Sequence, residues 1–262
     1  MKLRDVFLRG LTLICASLFW VTWQANPAVG QAVTDGLVSY WSFDEGTVQD
    51  DTVEDVWGAH AGTIIGAPNV VEGQVGDGLE LNGTADHVRV EGFDISPGVY
   101  PEITVMAWVF PTSDGTGGQA DRRFLFGHDN GDWDRGVLMQ ESAWRVGTGP
   151  DGADYWNTGA TVDVNTWQHV AVVYNADTIL FFKDAVEIDY GNPGLLAAGN
   201  NFLLIGTHPS QARFFQGIID EIYVYERSLT SDELETNMEA QGLAVQPVSK
   251  LTTTWGNVKA SR

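Results

Sequence analysis

Hydrophobic and polar residues alternate in short runs along most of the chain, and glycine, aspartate and asparagine separate the runs. A two-residue period of this kind reads as β-strands with one face buried. It predicts strands at 37–44, 61–65, 78–81, 86–90, 103–110, 123–127, 136–140, 144–147, 167–174, 179–183, 186–189 and 202–205, and a last one within 214–225. Pro111 stops the strongest of these, and 144–147 is placed to pair with 136–140. An acidic loop at 45–55 and glycine-rich loops at 112–121, 128–134 and 150–159 punctuate the series. One helix breaks the pattern. Thr230 and Glu233 form a capping box, Leu229 and Leu234 stand at the positions of a hydrophobic staple, and the helix runs over 231–240 before Gly242.

About a dozen short strands with one helix predict an all-β fold of two stacked antiparallel sheets. The last strand is the most informative. Its alternation puts Ile218, Asp220, Ile222 and Val224 on one face, and Ile219, Glu221, Tyr223 and Tyr225 on the other. Asp220 thus falls in an apolar row, where it needs a cation or several hydrogen-bond donors, since an unpaired buried charge is expensive.

The N-terminus reads differently. Lys2, Arg4 and Arg9 precede an uncharged run over 10–23, and Ala28, Gly30 and Ala32 supply small residues after it, the layout of a secretory signal peptide cleaved after Gly30 or Ala32. The alternative is an uncleaved N-terminal anchor, although the run is short for a transmembrane span. The organisation expected is a leader over 1–32, one domain over 33–243, and a tail over 244–262 that carries Lys250, Lys259 and Arg262. The single cysteine, Cys15, lies in the leader, so the exported chain has no disulfide and depends on a full-sized core, as suits a bacterial envelope or secreted protein.

With Lys2, Arg4, Arg9 and Asp5 set aside, the 14 basic and 35 acidic residues become 11 and 34, a formal charge of −23. Such a balance opposes nucleic-acid and anionic-membrane binding, and no membrane insertion is expected once the leader is removed. It suits calcium, cationic partners or uncharged glycans, and equally a surface that is acidic for solubility alone.

Several stretches then resemble one family. Gly36 to Glu45, Leu79 to Gly83 with Asp86 to Val90, Ile103 to Val109, Trp167 to Ala171 and Gly217 to Glu221 are similar, in order and spacing, to the laminin-G-like, concanavalin A-like jelly-roll domains of exported bacterial proteins. The resemblance runs from about Gly36 to Gly242. It implies a jelly roll whose first and last strands are neighbours, mostly non-catalytic modules that bind carbohydrate or protein, and often a structural calcium. Lys183-Asp184-Ala185 departs from the Asp-Gly hairpin turn usual in the family, and a type I′ turn is less comfortable without that glycine.

Three constellations carry chemistry. If the first and last strands pair as the resemblance implies, Asp44 and Asp220 approach one another, with Asp86 and carbonyls of the 83–86 turn as further oxygen ligands for Ca2+. The alternative is that backbone N–H groups or Arg213 satisfy Asp220. Glu187-Ile188-Asp189 begins the two-glutamate strand of related glycosidases, but Asn192 stands where the second glutamate belongs, and no enzyme activity is expected. The loop residues Trp133, Arg135, Tyr155, Trp156 and Asn157, with Asp129, Asn130 and Asp132, have the composition of a sugar site, aromatic rings for the apolar sugar faces and polar groups for the hydroxyls. The alternative for these is aromatic cover over sheet edges. Trp41, Trp108 and Trp167 fall within strands and are assigned to the core. The function expected is therefore an exported non-catalytic recognition module for glycan or an extracellular protein. A structural surface or matrix component, or a glycan-active enzyme of the same fold, are the alternatives.

Overall fold

The computed structural model describes residues 31–128, 135–147, 155–175, 178–191, 201–210 and 212–243, with the side chains of 189–191 excepted. Residues 1–30 of the expected leader, the tail, Trp133 with its loop, and Asn192 lie outside the described residues.

In chain order the strands are β1 (Leu37–Trp41), β2 (Val48–Gln49), β3 (Thr52–Val53), β4 (Gly62–Ile65), β5 (Asn69–Glu72) and β6 (Asp77–Asn82). There follow β7 (His87–Glu91), β8 (Ile103–Pro111), β9 (Arg123–His128), β10 (Arg135–Gln140), β11 (Ala143–Val146) and β12 (Trp156–Thr161). The last are β13 (Gln168–Tyr174), β14 (Ile179–Lys183), β15 (Val186–Gly191), β16 (Phe202–Ile205) and β17 (Gln216–Tyr225), and then the helix α1 (Ser231–Glu239). They form two antiparallel sheets. The first has the order β15-β14-β13-β8-β17-β6-β5, with β1 also on β17, and the second runs β12-β11-β10-β9-β16-β7-β4-β3-β2.

Strand β17 holds the first sheet together. One edge pairs with β8 along its length, while the other is shared, β6 taking Gln216 to Ile219 and β1 taking Ile222 to Tyr225. The first and last strands are thus neighbours, as the family resemblance implies. Between the sheets lies one apolar core containing Trp41, Phe43, Phe93, Trp144, Phe181, Ile219, Ile222 and Val224.

The alternation read from β17 needs correction. Opposite Asp220 stands Trp108, and the next pair is Tyr223 with Met106, so two residues of β17 face one of β8. This is a β-bulge, and Glu221 within it has φ +52. The extra residue reverses the parity. Ile219 therefore joins Ile222 and Val224 in the core, while Ile218 and Asp220 turn to the outer face. Asp220 is buried, but not in the row first expected.

Part of that outer face is closed by α1. Leu229, Leu234 and Ala240 pack with Tyr40, Met106, Ala171, Val173, Tyr223 and Tyr225 in a second apolar cluster. The capping box is present, and Arg227 pairs with Glu233 in bidentate fashion. That pair, more than the cap, holds the Glu233 carboxyl down to about 2. Asn237 ties the helix down: its Oδ1 accepts from the Val33 N–H and its amide donates to the Tyr225 hydroxyl.

Three short pairings fall in regions not read as strand. Strands β2 and β3 lie in the acidic 45–55 segment, and β5 covers Asn69–Glu72, while β12 begins inside the 150–159 loop. Each is an edge or near-edge strand with many polar residues, which carries little hydrophobic period. The turn at Asp184-Ala185 adopts the type I′ shape without glycine, with φ +52 and +59. Asp184 holds it by donating its N–H to the His169 carbonyl and accepting the His169 N–H on Oδ1.

Candidate functional site

Of the loop cluster expected to bind sugar, the described members Arg135, Tyr155, Trp156 and Asn157 do not share one exposed surface. Arg135 is buried at the start of β10, donates to the Ile95 carbonyl at 2.7 Å and lies over the Tyr174 ring. Tyr155 is also buried, edge-on to Phe124 and beneath the Arg122 guanidinium. Trp156 is half-buried opposite Val146 and packs on the core, and only Asn157 is exposed, its Oδ1 accepting from the Gly159 N–H. Arg135 and Tyr155 are thus packing residues at one end of the sandwich, where a buried guanidinium needs carbonyl and ring partners.

The three aspartates are distributed over two turns. Asp220 Oδ2 accepts from the N–H groups of Gln74 and Val75, both at 2.9 Å, and Asp44 Oδ1 accepts from Asp77 N–H at 3.0 Å. Both therefore grip the 73–77 turn, and the fit is close. A Cβ on Gly76 would stand 2.2 Å from Asp44 Oδ1, and one on Gly73 would stand 2.6 Å from Asp220 Oδ2. Asp86 is held elsewhere, accepting from the N–H groups of Ala67 and Asn82. Among the described residues no group of three or more acidic, histidine or cysteine side chains is placed to hold a metal. The expected three-aspartate set thus reduces to Asp44 and Asp220. Backbone N–H groups, not Arg213, satisfy one oxygen of Asp220, and Asp220 Oδ1 is buried without a hydrogen-bond partner. Calcium takes carboxylate and backbone carbonyl oxygens, and the orphaned Asp220 Oδ1 and the Asp44 carboxylate, both held on this turn, are oxygens of that kind.

Glu221 is buried next to it in the bulge. The Tyr40 hydroxyl donates to Oε1 at 2.6 Å and the Tyr223 hydroxyl to Oε2 at 2.7 Å. Burial pushes the Asp220 carboxyl up to about 8 and the Glu221 carboxyl up to about 7, against the pull of these donors.

The remaining part of the outer face is open. Across five strands, register places Phe110 opposite Ile218, Ile218 opposite Glu80 and Glu80 opposite Asn69. Trp167, one residue before β13, continues the row beside Phe110 with ring centroids 5.6 Å apart. None of the five is buried: Trp167, Phe110 and Ile218 are half-exposed, and Glu80 and Asn69 are exposed. Asn69 donates to Glu80 Oε2 at 3.2 Å. Beside the polar end runs a groove of about 310 Å³ lined by Asn69, Glu80, Asn82, Thr112 and Gln216. One row inward, Trp108 is half-exposed and meets buried His169 edge-on at 5.3 Å. Burial lowers the His169 pKa to about 3, so its ring is neutral.

Trp108 and Trp167 are therefore corrected from core to surface, whereas Trp41 is fully buried as expected. The signal was present in parity. Val105, Ala107 and Val109 take the core face of β8, so Met106, Trp108 and Phe110 must take the other. The helix covers Met106, and the two aromatic residues beyond it are left over.

One constellation resembles a catalytic triad. Ser39 Oγ lies 2.8 Å from His60 Nδ1, and Asp55 Oδ2 lies 3.6 Å from the same nitrogen. A relay needs serine and carboxylate on opposite ring nitrogens. Here both meet one, Ser39 is fully buried, and Asp55 accepts the N–H groups of Tyr40, Gly58 and His60, so the cluster shapes the 55–60 turn.

No curated protein sequence matches the chain. Among solved structures it is similar to a Trypanosoma rangeli sialidase in complex with the inhibitor DANA, at 18% identity and TM-score 0.61, over 80% of this chain but 34% of the sialidase. It is also similar to domain 4 of AbnA, a GH43 extracellular arabinanase from Geobacillus stearothermophilus, in complex with arabinotriose, at 20% identity and TM-score 0.58, over 77% of this chain and 98% of that domain. The binding domain of botulinum neurotoxin DC in complex with SialylT is similar at 9% identity and TM-score 0.61, over 79% of this chain and 52% of the toxin domain. The chain thus spans about a third of the sialidase and half of the toxin domain. These likenesses establish a shared sandwich fold. Residues 82–235 match the Laminin_G_3 family model, and the chain belongs to the concanavalin A-like lectin/glucanases superfamily.

Proposed function

We propose that the domain is a non-catalytic, exported carbohydrate-recognition module and that its binding surface is the open half of the first sheet's outer face. The observation that carries this reading is the half-exposed pair Trp167 and Phe110 in one cross-strand row with Glu80 and Asn69. Aromatic faces stack on the apolar faces of sugar rings, and the carboxylate and amide fix the hydroxyls. The similar arabinanase domain was solved with arabinotriose and the similar toxin domain with SialylT, which favours a glycan among ligand classes. On this reading Asp44 and Asp220 hold a structural calcium at the 73–77 turn, where it would neutralise the buried carboxyls and brace the row from the side.

A glycan array probed with the whole chain tests the reading. Trp167→Ala and Phe110→Ala should each lower binding at least about tenfold while leaving the melting temperature within a few degrees. Unchanged binding in both variants would contradict it.

A further inference from the structure

We infer that the ligand is an uncharged oligosaccharide laid across the strands, and that acidic glycans are excluded; this rests on the recognition surface proposed above. Two features of that surface lead to it, its charge and its length.

Charge comes first. Between residues 33 and 243 the chain has eight lysines and arginines, and Arg122 and Arg135 among them are buried. Five more are ion-paired. Arg123, whose guanidinium reaches the Gln216 end of the groove, is taken by Asp121 and the Gly83 carbonyl. Lys183 of β14 is taken by Asp163 and the Thr161 carbonyl. Arg213 has no ion pair among the described residues, and it sits where its carbonyl accepts from Phe124 of the second sheet. The segments 129–134, 148–154, 176–177 and 192–200 contain no lysine or arginine at all. Among the described residues, the charged groups of the open row and its groove are carboxylates, Glu80 in the row and Asp86 in the groove wall. A sialic or uronic acid would bring its carboxylate to a surface where, among the described residues, no free guanidinium stands to receive it, in a chain of net charge −21. Neutral hydroxyls meet no such penalty, because Glu80 accepts from them, and Asn69, Asn82 and Gln216 both donate and accept.

Length follows from register. The row Trp167, Phe110, Ile218, Glu80, Asn69 crosses five adjacent strands, four intervals of about 4.8 Å, or roughly 19 Å. Its apolar stacking groups lie at one end and its hydrogen-bonding groups at the other. No monosaccharide reaches both.

Calorimetric titration of the whole chain, in roughly 0.15 M salt so that surface charge is screened as in solution, decides the matter with named probes: arabino-, xylo- and cello-oligosaccharides from one to six units, sialyllactose, and oligogalacturonate. The expected result is binding of at least one neutral series, rising at least tenfold from the monosaccharide to the tetrasaccharide, with none to the acidic probes. Glu80→Arg should then gain oligogalacturonate binding. Wild-type binding of an acidic probe as tight as any neutral one would overturn the exclusion while leaving a glycan surface standing. Equal binding of monosaccharide and tetrasaccharide would overturn the strand-crossing mode. Silence from every probe, acidic and neutral, would remove the recognition surface and this inference together.

Discussion

The outer face of the first sheet is built from the same strands throughout, yet its two halves have opposite fates. Met106, Ala171 and Tyr223 lie under α1 with Leu234 and are buried, whereas Phe110, Trp167 and Ile218, a few residues away along the same strands, stay open. The division falls at the Asp220-Glu221 bulge, where the turn 73–77 closes on one side and Tyr40 and Tyr223 on the other. Apolar character alone does not separate the halves; cover does. A sheet face that stays aromatic past the end of its covering helix is a candidate surface.

Leu234→Ala should show the largest effect on stability. It removes a fully buried side chain from the covered half and should cost about 2–5 kcal/mol by denaturant unfolding. Trp167→Ala in the open half removes a larger side chain and should cost well under half of that. Similar losses in the two variants would erase the distinction between the halves.

The next effect comes from the buried acids between them. Asp220 and Glu221 keep their protons to about pH 8 and 7 in the fold, above their ordinary values of 3.8 and 4.5 when unfolded. Their contribution is therefore fully present below about pH 4 and lost as pH rises through 7 and 8. Stability should fall by on the order of a few kcal/mol between pH 5 and pH 9. Asp220→Asn should flatten that slope, and calcium should restore stability at the alkaline end. A wild-type slope that Asp220→Asn leaves intact would place the titration elsewhere in this acidic chain.

The smallest effect concerns the hairpin at Asp184-Ala185. Ala185 holds φ +59, which glycine adopts without a Cβ penalty, so Ala185→Gly should stabilise the domain by about 0.5–1 kcal/mol. A loss of stability on that change would mean that backbone entropy outweighs the strain.

Much of the scaffold was legible because its signals are local. The capping box at Thr230 and Glu233, the pairing of 136–140 with 144–147, and the all-β class follow from short-range pattern, and each is observed. The bulge was not legible, because one extra residue in β17 reverses which side chains face the core and nothing in the alternation marks it. Two adjacent carboxylates in mid-strand, Asp220 and Glu221, were its one trace. The open row was missed for a related reason. Trp167, Phe110, Ile218, Glu80 and Asn69 come from five separate stretches and meet only through register, while Arg135 and Tyr155, each at the end of a different polar loop, pack inward. Loop composition suggested one surface, and sheet parity points to the different one proposed here.

The most direct measurement follows the tryptophan indole N–H resonances while a neutral oligosaccharide is titrated into the isotopically labelled chain. The account predicts that the Trp167 and Trp108 resonances move with a common saturation curve and that those of Trp41 and Trp144, sealed between the sheets, do not. Saturable shifts confined to other tryptophans, with Trp167 and Trp108 unmoved, would contradict the claim that the open half of this face is the binding surface.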